Sequence, residues 1–296
     1  MKSLPTKSNF LGIAEKRLYD YKNSKYVIQS VPYEHTSSYL AGSDRGPKAI
    51  IEASQFVELY DEELDKETYR SCGIATLPPI KFSKKDVDER AVALIERETT
   101  KLLNDKKYVV SFGAEHTVTF GFARAFAKKY KNLTVVQIDA HSDLRESYHN
   151  NKYSHASVMK RVHDLGLNLV QVGIRAQCTE EAQLIKSSKK INTYYAHQIR
   201  KDHTWADKAI ANCTENVYLT IDADGFDPSI MPAVGTAEPN GLFWNETLEF
   251  LRKLTQKKNV VGFDIVECAP HKGSILSEYT LAKLAYRIIG YLEGNK

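Results

Sequence analysis

The fold this sequence predicts is a three-layer α-β-α domain built on a mainly parallel sheet of about eight strands, and three observations predict it. Short apolar runs alternate with amphipathic stretches along almost the whole chain. No linker, repeat or low-complexity tract divides the 296 residues, of which 42% are apolar, enough to cover both faces of one large sheet. Several of the apolar runs end in Asp, Glu or His, the residues expected where a parallel sheet opens a crevice beyond the carboxyl ends of its strands.

Taken in order, residues 26–31 read as the first strand, and Gly46-Pro47 opens a helix expected over 46–64. Val87, Ala91, Leu94 and Ile95 recur at helical spacing on a charged helix over 86–103. Strand 108–112, helix 117–129, strand 133–138, helix 155–165 and strand 169–173 follow. Helix 180–187, strand 192–195, helix 205–212, strand 217–221, helix 246–256, strand 260–266 and helix 277–292 complete the alternation. Strand followed by helix throughout implies right-handed crossovers and a sheet covered on both faces, so the expected organisation is one domain over residues 1–296.

Composition narrows the function classes. A formal charge of +4 is small for this length, and no stripe of Lys and Arg interleaved with aromatics stands out, which argues against nucleic-acid binding. No apolar run approaches a membrane span, and Met1 to Lys7 lacks a signal-peptide core. Cys72, Cys178, Cys213 and Cys268 are dispersed without CxxC spacing. They fit a reducing cytoplasm rather than a disulfide framework or a zinc knuckle.

The chemistry gathers at four strand ends. Gly113-Ala114-Glu115-His116, Asp139-Ala140-His141-Ser142-Asp143, Asp222-Ala223-Asp224 and Glu267 each follow an apolar run, and the other strand ends carry nothing comparable. One Asp at a strand end is ordinarily a cap or turn residue, whereas two separate Asp-x-(Asp or His) sets are the pattern of a metal site. His116, Asp139, His141, Asp143, Asp222 and Asp224 are too many ligands for a tetrahedral zinc. Their four carboxylates balance two divalent cations. Oxygen-rich ligation with two imidazoles suits Mn²⁺, with Fe²⁺, Co²⁺ or Zn²⁺ as alternatives.

These motifs, in this order, resemble those of the ureohydrolase family, the arginases, agmatinases and their relatives. Gly42-Ser43-Asp44-Arg45-Gly46-Pro47-Lys48-Ala49-Ile50 matches its early helix start, and Gly113–His116 and Asp139–Asp143 match its first two ligand motifs. Residues 221–242, with Asp-x-Asp, Asp-Pro and Gly-Thr-Ala-Glu-Pro-Asn-Gly-Leu, match the third, and Asp264-Ile265-Val266-Glu267 with Pro270 the last. The resemblance implies the arginase/deacetylase-like fold and two Mn²⁺ ions. His116, Asp139, Asp143 and Asp222 would hold one ion, and His141, Asp139, Asp222 and Asp224 the other. It further implies Glu267 facing the substrate guanidinium, His155 as proton shuttle, and trimers or hexamers as the assembly. Guanidine hydrolysis needs such a kit independently: the carbon is a poor electrophile, the nucleophile must be generated near neutral pH, and the departing amine needs a proton.

Ala114, Glu115 and Thr117 replace positions of the usual Gly-Gly-Asp-His-Ser. Ala114 would resist a positive φ, and Glu115 reaches one methylene further than Asp and is expected to shift the surroundings of His116. Ala156, Ala237 and Asn240 depart from glycine- and proline-rich family positions without removing a ligand. Substrate choice is expected in residues 144–154. Arg145 stands where arginases carry Asn, and the segment looks agmatinase-like. Glu146 or Tyr148 would accept the distal amine of agmatine, giving putrescine and urea. Arg145 is read as an outward-facing structural residue, its alternative being a bidentate clamp for a guanidino acid. Arginine, 4-guanidinobutyrate and aminopropylagmatine are the rival substrates, and a catalytically silent homologue is the rival from another class.

Overall fold

The computed structural model describes residues 1–294; the last two residues of the expected domain, 295–296, lie outside them. Among the described residues, β1 (Tyr26–Val31), β2 (Ile74–Thr76), β3 (Tyr108–Gly113), β4 (Leu133–Ile138), β5 (Asn168–Ile174), β6 (Ile191–Tyr195), β7 (Asn216–Asp222) and β8 (Asn259–Val266) form one sheet. Its order is β2-β1-β3-β8-β7-β4-β5-β6, and every pairing is parallel.

Alternation along the strands divides the core in two. On β4, Val136 and Ile138 join one apolar cluster while Leu133 and Val135 join the other. The first cluster packs under helices Gly46–Ser54, Trp205–Ala211, Trp244–Lys257 and Leu276–Gly294, the second under Glu89–Asn104, Val118–Lys129 and Val158–Asp164. This is the expected three-layer arrangement.

Three elements differ from expectation. The helix from Gly46 ends at Ser54 rather than running to residue 64. The chain turns there: Phe56 is 79% exposed, and the Ser54 hydroxyl turns back onto Ile51 O while accepting Leu11 N–H. The eighth strand, β2, is three residues long at the sheet edge, too short to carry a periodic signal. The helix expected from residue 155 begins as a 3₁₀ turn, His155–Ser157, before Val158–Asp164.

The topology positions the site. β7 and β8 enter between β4 and β3, so β3, β8, β7 and β4 are neighbours at the centre of the sheet. The four strand ends that bear acids and histidines therefore lie side by side.

Candidate active site

Beyond β4, Asp139 Oδ1 accepts the His141 amide at 2.6 Å and Oδ2 accepts Gln137 Nε2 at 2.7 Å. Gln137 is held in turn by Gln171 Nε2 at 2.6 Å. At the end of β7, Asp222 accepts the Asp224 amide at 2.9 Å, and Asp224 accepts the Ala140 amide at 3.1 Å. Each carboxylate is thus fixed by backbone or side-chain donors and keeps further lone pairs for another partner. Two clusters result, His116–Asp139–Asp222 and Asp139–His141–Asp224, with Asp139 common to both.

His116 Nδ1 lies 3.1 Å from Asp139, 3.2 Å from Asp143 and 3.1 Å from Asp222. Its other nitrogen is committed. Asp264, wholly buried, accepts from Thr220 Oγ1 at 2.7 Å and Tyr218 Oη at 2.6 Å. Thr220, having given its proton away, accepts His116 Nε2–H at 2.9 Å. A neutral His116 therefore turns a lone pair on Nδ1 toward three carboxylate oxygens. Acceptors facing acceptors in a dry pocket are satisfied either by protons or by a cation among them, and this donor set fits a divalent metal.

Without a cation, protons take that place. In the metal-free side chains, burial, then Asp143 and Asp224, push Asp139 up to about 7. Burial, then Asp224 and Asp139, push Asp222 well above the usual carboxylate range. Burial opposes charging of His116 and His141, but the carboxylates outweigh it, holding His116 well above its ordinary value and His141 at about 11. Asp224 goes the other way: its burial is overcome by His141 and by the Ala140 amide it accepts, and its carboxyl stays below the usual range.

Glu267 has φ +62° and Asp143 φ +53°, a left-handed backbone that costs a non-glycine residue energy and clusters at functional sites. Ala114 has no such φ, so the conflict expected from replacing glycine there does not arise. Glu267 Oε1 accepts the His116 amide at 2.7 Å; burial, then the neighbouring Glu115 charge, raise its carboxyl well above the ordinary value.

A cavity of about 220 Å³ opens above these groups, room for a short linear molecule. His116, His141, Asp143, Asp222, Asp224, Glu267, His155, Arg145 and Tyr148 line it. Two expectations fail. Arg145 does not face outward: it lines the cavity with its guanidinium 5.2 Å from the Tyr148 ring. Glu146 is not among the lining residues and is engaged by Lys160 and Arg161, which, led by Arg161, hold its carboxyl below the usual value; it is not free to receive a distal amine.

Other contributors escaped the sequence reading. Ser37, Ser38, Tyr39 and Leu40, beyond β1, form one wall. Arg175, beyond β5, donates to the carbonyls of Gly173, Asp224, Gly225, Phe226 and Glu238. It ties the Asp224 turn to the segment bearing Thr236, another lining residue. The ends of β1 and β5 thus do contribute, with hydroxyls and a guanidinium in place of acids. An Arg directly after a strand was the available signal.

An arginase-like α/β fold whose central strand ends converge on two carboxylate–imidazole clusters defines a hydrolase of the binuclear-metal kind. Residues 24–290 match the model of the arginase family, and the chain belongs to it. It is a guanidine-cleaving ureohydrolase of the agmatinase-like branch. It is 42% identical to the N(1)-aminopropylagmatine ureohydrolase of Synechocystis sp., over 94% of this chain and 92% of that protein. It is 32% identical to the agmatinase of Pyrococcus horikoshii, over 92% and 93%. The crystal structure of agmatine ureohydrolase of Thermoplasma volcanium superposes with TM-score 0.83 at 32% identity, covering 95% of this chain and 94% of that one.

Proposed function

We propose that the chain hydrolyses agmatine-type guanidines, releasing urea and the free amine. Agmatine would give putrescine and its N1-aminopropyl derivative the corresponding triamine, with the extended substrate preferred. The observation that carries this reading is the cavity itself: carboxylates line its depth, and an exposed Tyr39-Leu40 tip, 76% and 49% exposed, stands at its wall. A cationic head fits the first and a methylene tail the second. The 42% identical relative named N(1)-aminopropylagmatine ureohydrolase supports the longer tail.

His116, Asp139, Asp143 and Asp222 would hold one divalent cation, and His141, Asp139, Asp222 and Asp224 the other; Mn²⁺ is the ion this oxygen-rich set favours. When bound, such ions supply a nucleophile at neutral pH by acidifying water. The chain's own groups do the rest. Glu267 receives the guanidinium and orients its carbon. His155, across the cavity, hands a proton from Nε2 to the nitrogen that leaves as the amine.

Arg145 supports a second reading, because a free guanidinium fork in the wall would clamp a guanidino acid. Urea release from Mn²⁺-loaded protein with aminopropylagmatine, agmatine, arginine and 4-guanidinobutyrate decides between them. The highest kcat/KM is expected for aminopropylagmatine, with agmatine next. Preference for 4-guanidinobutyrate would overturn the substrate and keep the chemistry; no urea from any would leave a silent homologue.

A further inference from the structure

Glu115 occupies a position where the usual motif has Asp, and the extra methylene has a destination. The side chain is wholly buried beyond β3. Its Oε2 accepts the His35 amide at 2.9 Å, the Thr36 amide at 2.6 Å and the Thr36 hydroxyl at 3.1 Å. Those partners lie about eighty residues earlier in the chain, on the segment that continues into the cavity wall. The Thr36 hydroxyl also lies 3.1 Å from His155 Nδ1 and accepts the His155 amide at 3.1 Å.

We propose that Thr36, anchored by Glu115, is the positioning residue that sets the tautomer and ring orientation of His155. This rests on the shuttle reading of His155. A threonine hydroxyl has one proton and two lone pairs, and here it has three partners. The His155 amide is a donor and takes one lone pair. Glu115, as a carboxylate, has no hydrogen to give and can only accept, so its Oε2 takes the hydroxyl proton. The remaining lone pair faces Nδ1, which must carry hydrogen. Ser154 Oγ, 3.5 Å from Nδ1, is the more distant neighbour. Nε2 is then the nitrogen that gains and loses a proton, and it lies 3.3 Å from Ser38 Oγ, a cavity-lining residue. Because Nδ1–H stays bonded in the neutral and the charged ring, proton transfer at Nε2 leaves the Thr36 contacts unchanged. The opposite tautomer would oblige Thr36 to donate to Nδ1 and leave two acceptors 3.1 Å apart at Glu115.

The test compares T36V, T36S and H155N for kcat, KM and bound metal. T36V keeps the shape and loses the hydroxyl. A fall in kcat of about tenfold or more, within the range that acid–base catalysis contributes, is expected, with KM and metal content unchanged. T36S, restoring the hydroxyl, should recover most of the loss. Wild-type kcat in T36V, or equal losses in T36V and T36S, would overturn the proposal. A T36V protein that misfolds leaves T36S decisive: it must retain most of the activity. H155N separates the premise. Full turnover there removes the shuttle role itself, whereas a loss in H155N with none in T36V removes only the part assigned to Thr36.

Discussion

Asp139 is the residue on which both clusters depend, since one of its oxygens faces His116 at 3.1 Å and the other lies 3.8 Å from His141. Asp139→Ala is therefore expected to cut turnover by more than about 100-fold, beyond what residues behind the ligands typically cost, and to lower metal stoichiometry. Metal analysis and urea assays check it, and full activity would remove the two-cluster account. Asp264→Asn acts at one remove, through Thr220 on His116. Metal affinity should weaken by about 10–100-fold, read from competition with a chelator. The pH dependence follows from Asp139 at about 7 and His141 at about 11 in the metal-free chain. Both groups hold protons near neutrality that ligation must displace, so Mn²⁺ binding releases protons and its affinity rises with pH. Calorimetry in two buffers of different ionisation enthalpy measures the release, and none would contradict the ligand assignment. The Asp and His residues that cluster here were legible because Asp and His at alternating positions after an apolar run serve few purposes besides holding a metal. Thr36 and Thr220 were not. Hydroxyl residues are common, and these two meet their histidines only 119 and 104 residues away along the chain.

At the scale of elements, long strands and helices were legible from periodicity, and loops were not. The reading of Arg145 shows why. Its identity was plain, but the direction of its side chain depends on a turn containing His149 and Asn150 at φ +49° and +60°, which no periodicity encodes. The Glu34–Arg45 segment is similar: the Glu34 carboxylate gathers Ser37 Oγ and the Gly42 amide, making a compact loop from residues without a motif. Arg175 is the counterpart just beyond β5, and its planar fork matters more than its charge. Arg175→Lys cannot reach the same set of carbonyls. It is expected to cost about 3 kcal/mol from carbonyls left unpaired and to raise proteolytic sensitivity near Thr236. Unchanged thermal unfolding and unchanged proteolysis would show that the clamp is dispensable.

The molecule as a whole is closed by its last long helix. Arg287, 4% exposed, pairs with Asp61, 5% exposed, and with Glu62 and Glu63. These acids lie in the turns that replaced the expected extension of the helix from Gly46. Arg287→Leu leaves the Asp61 charge buried with backbone amides but no cation beside it, and should destabilise by about 3 kcal/mol. A Tm equal to that of the unaltered protein would refute it. No helix among the described residues is long and apolar enough to cross a membrane. The sheet order carries a consequence for biosynthesis. The strands made late, β7 and β8, occupy the middle of the sheet, so a nascent chain that has emitted only the first six has two separate half-sheets whose inner edges are unpaired. His116 belongs to one half and Asp139 to the other, and Asp222 arrives on the wedge that joins them. Neither complete ligand set therefore exists until that wedge enters. The chain's binding competence arises in the same event that seals its most aggregation-prone edges, and ion supply at that moment bears on yield as well as on activity.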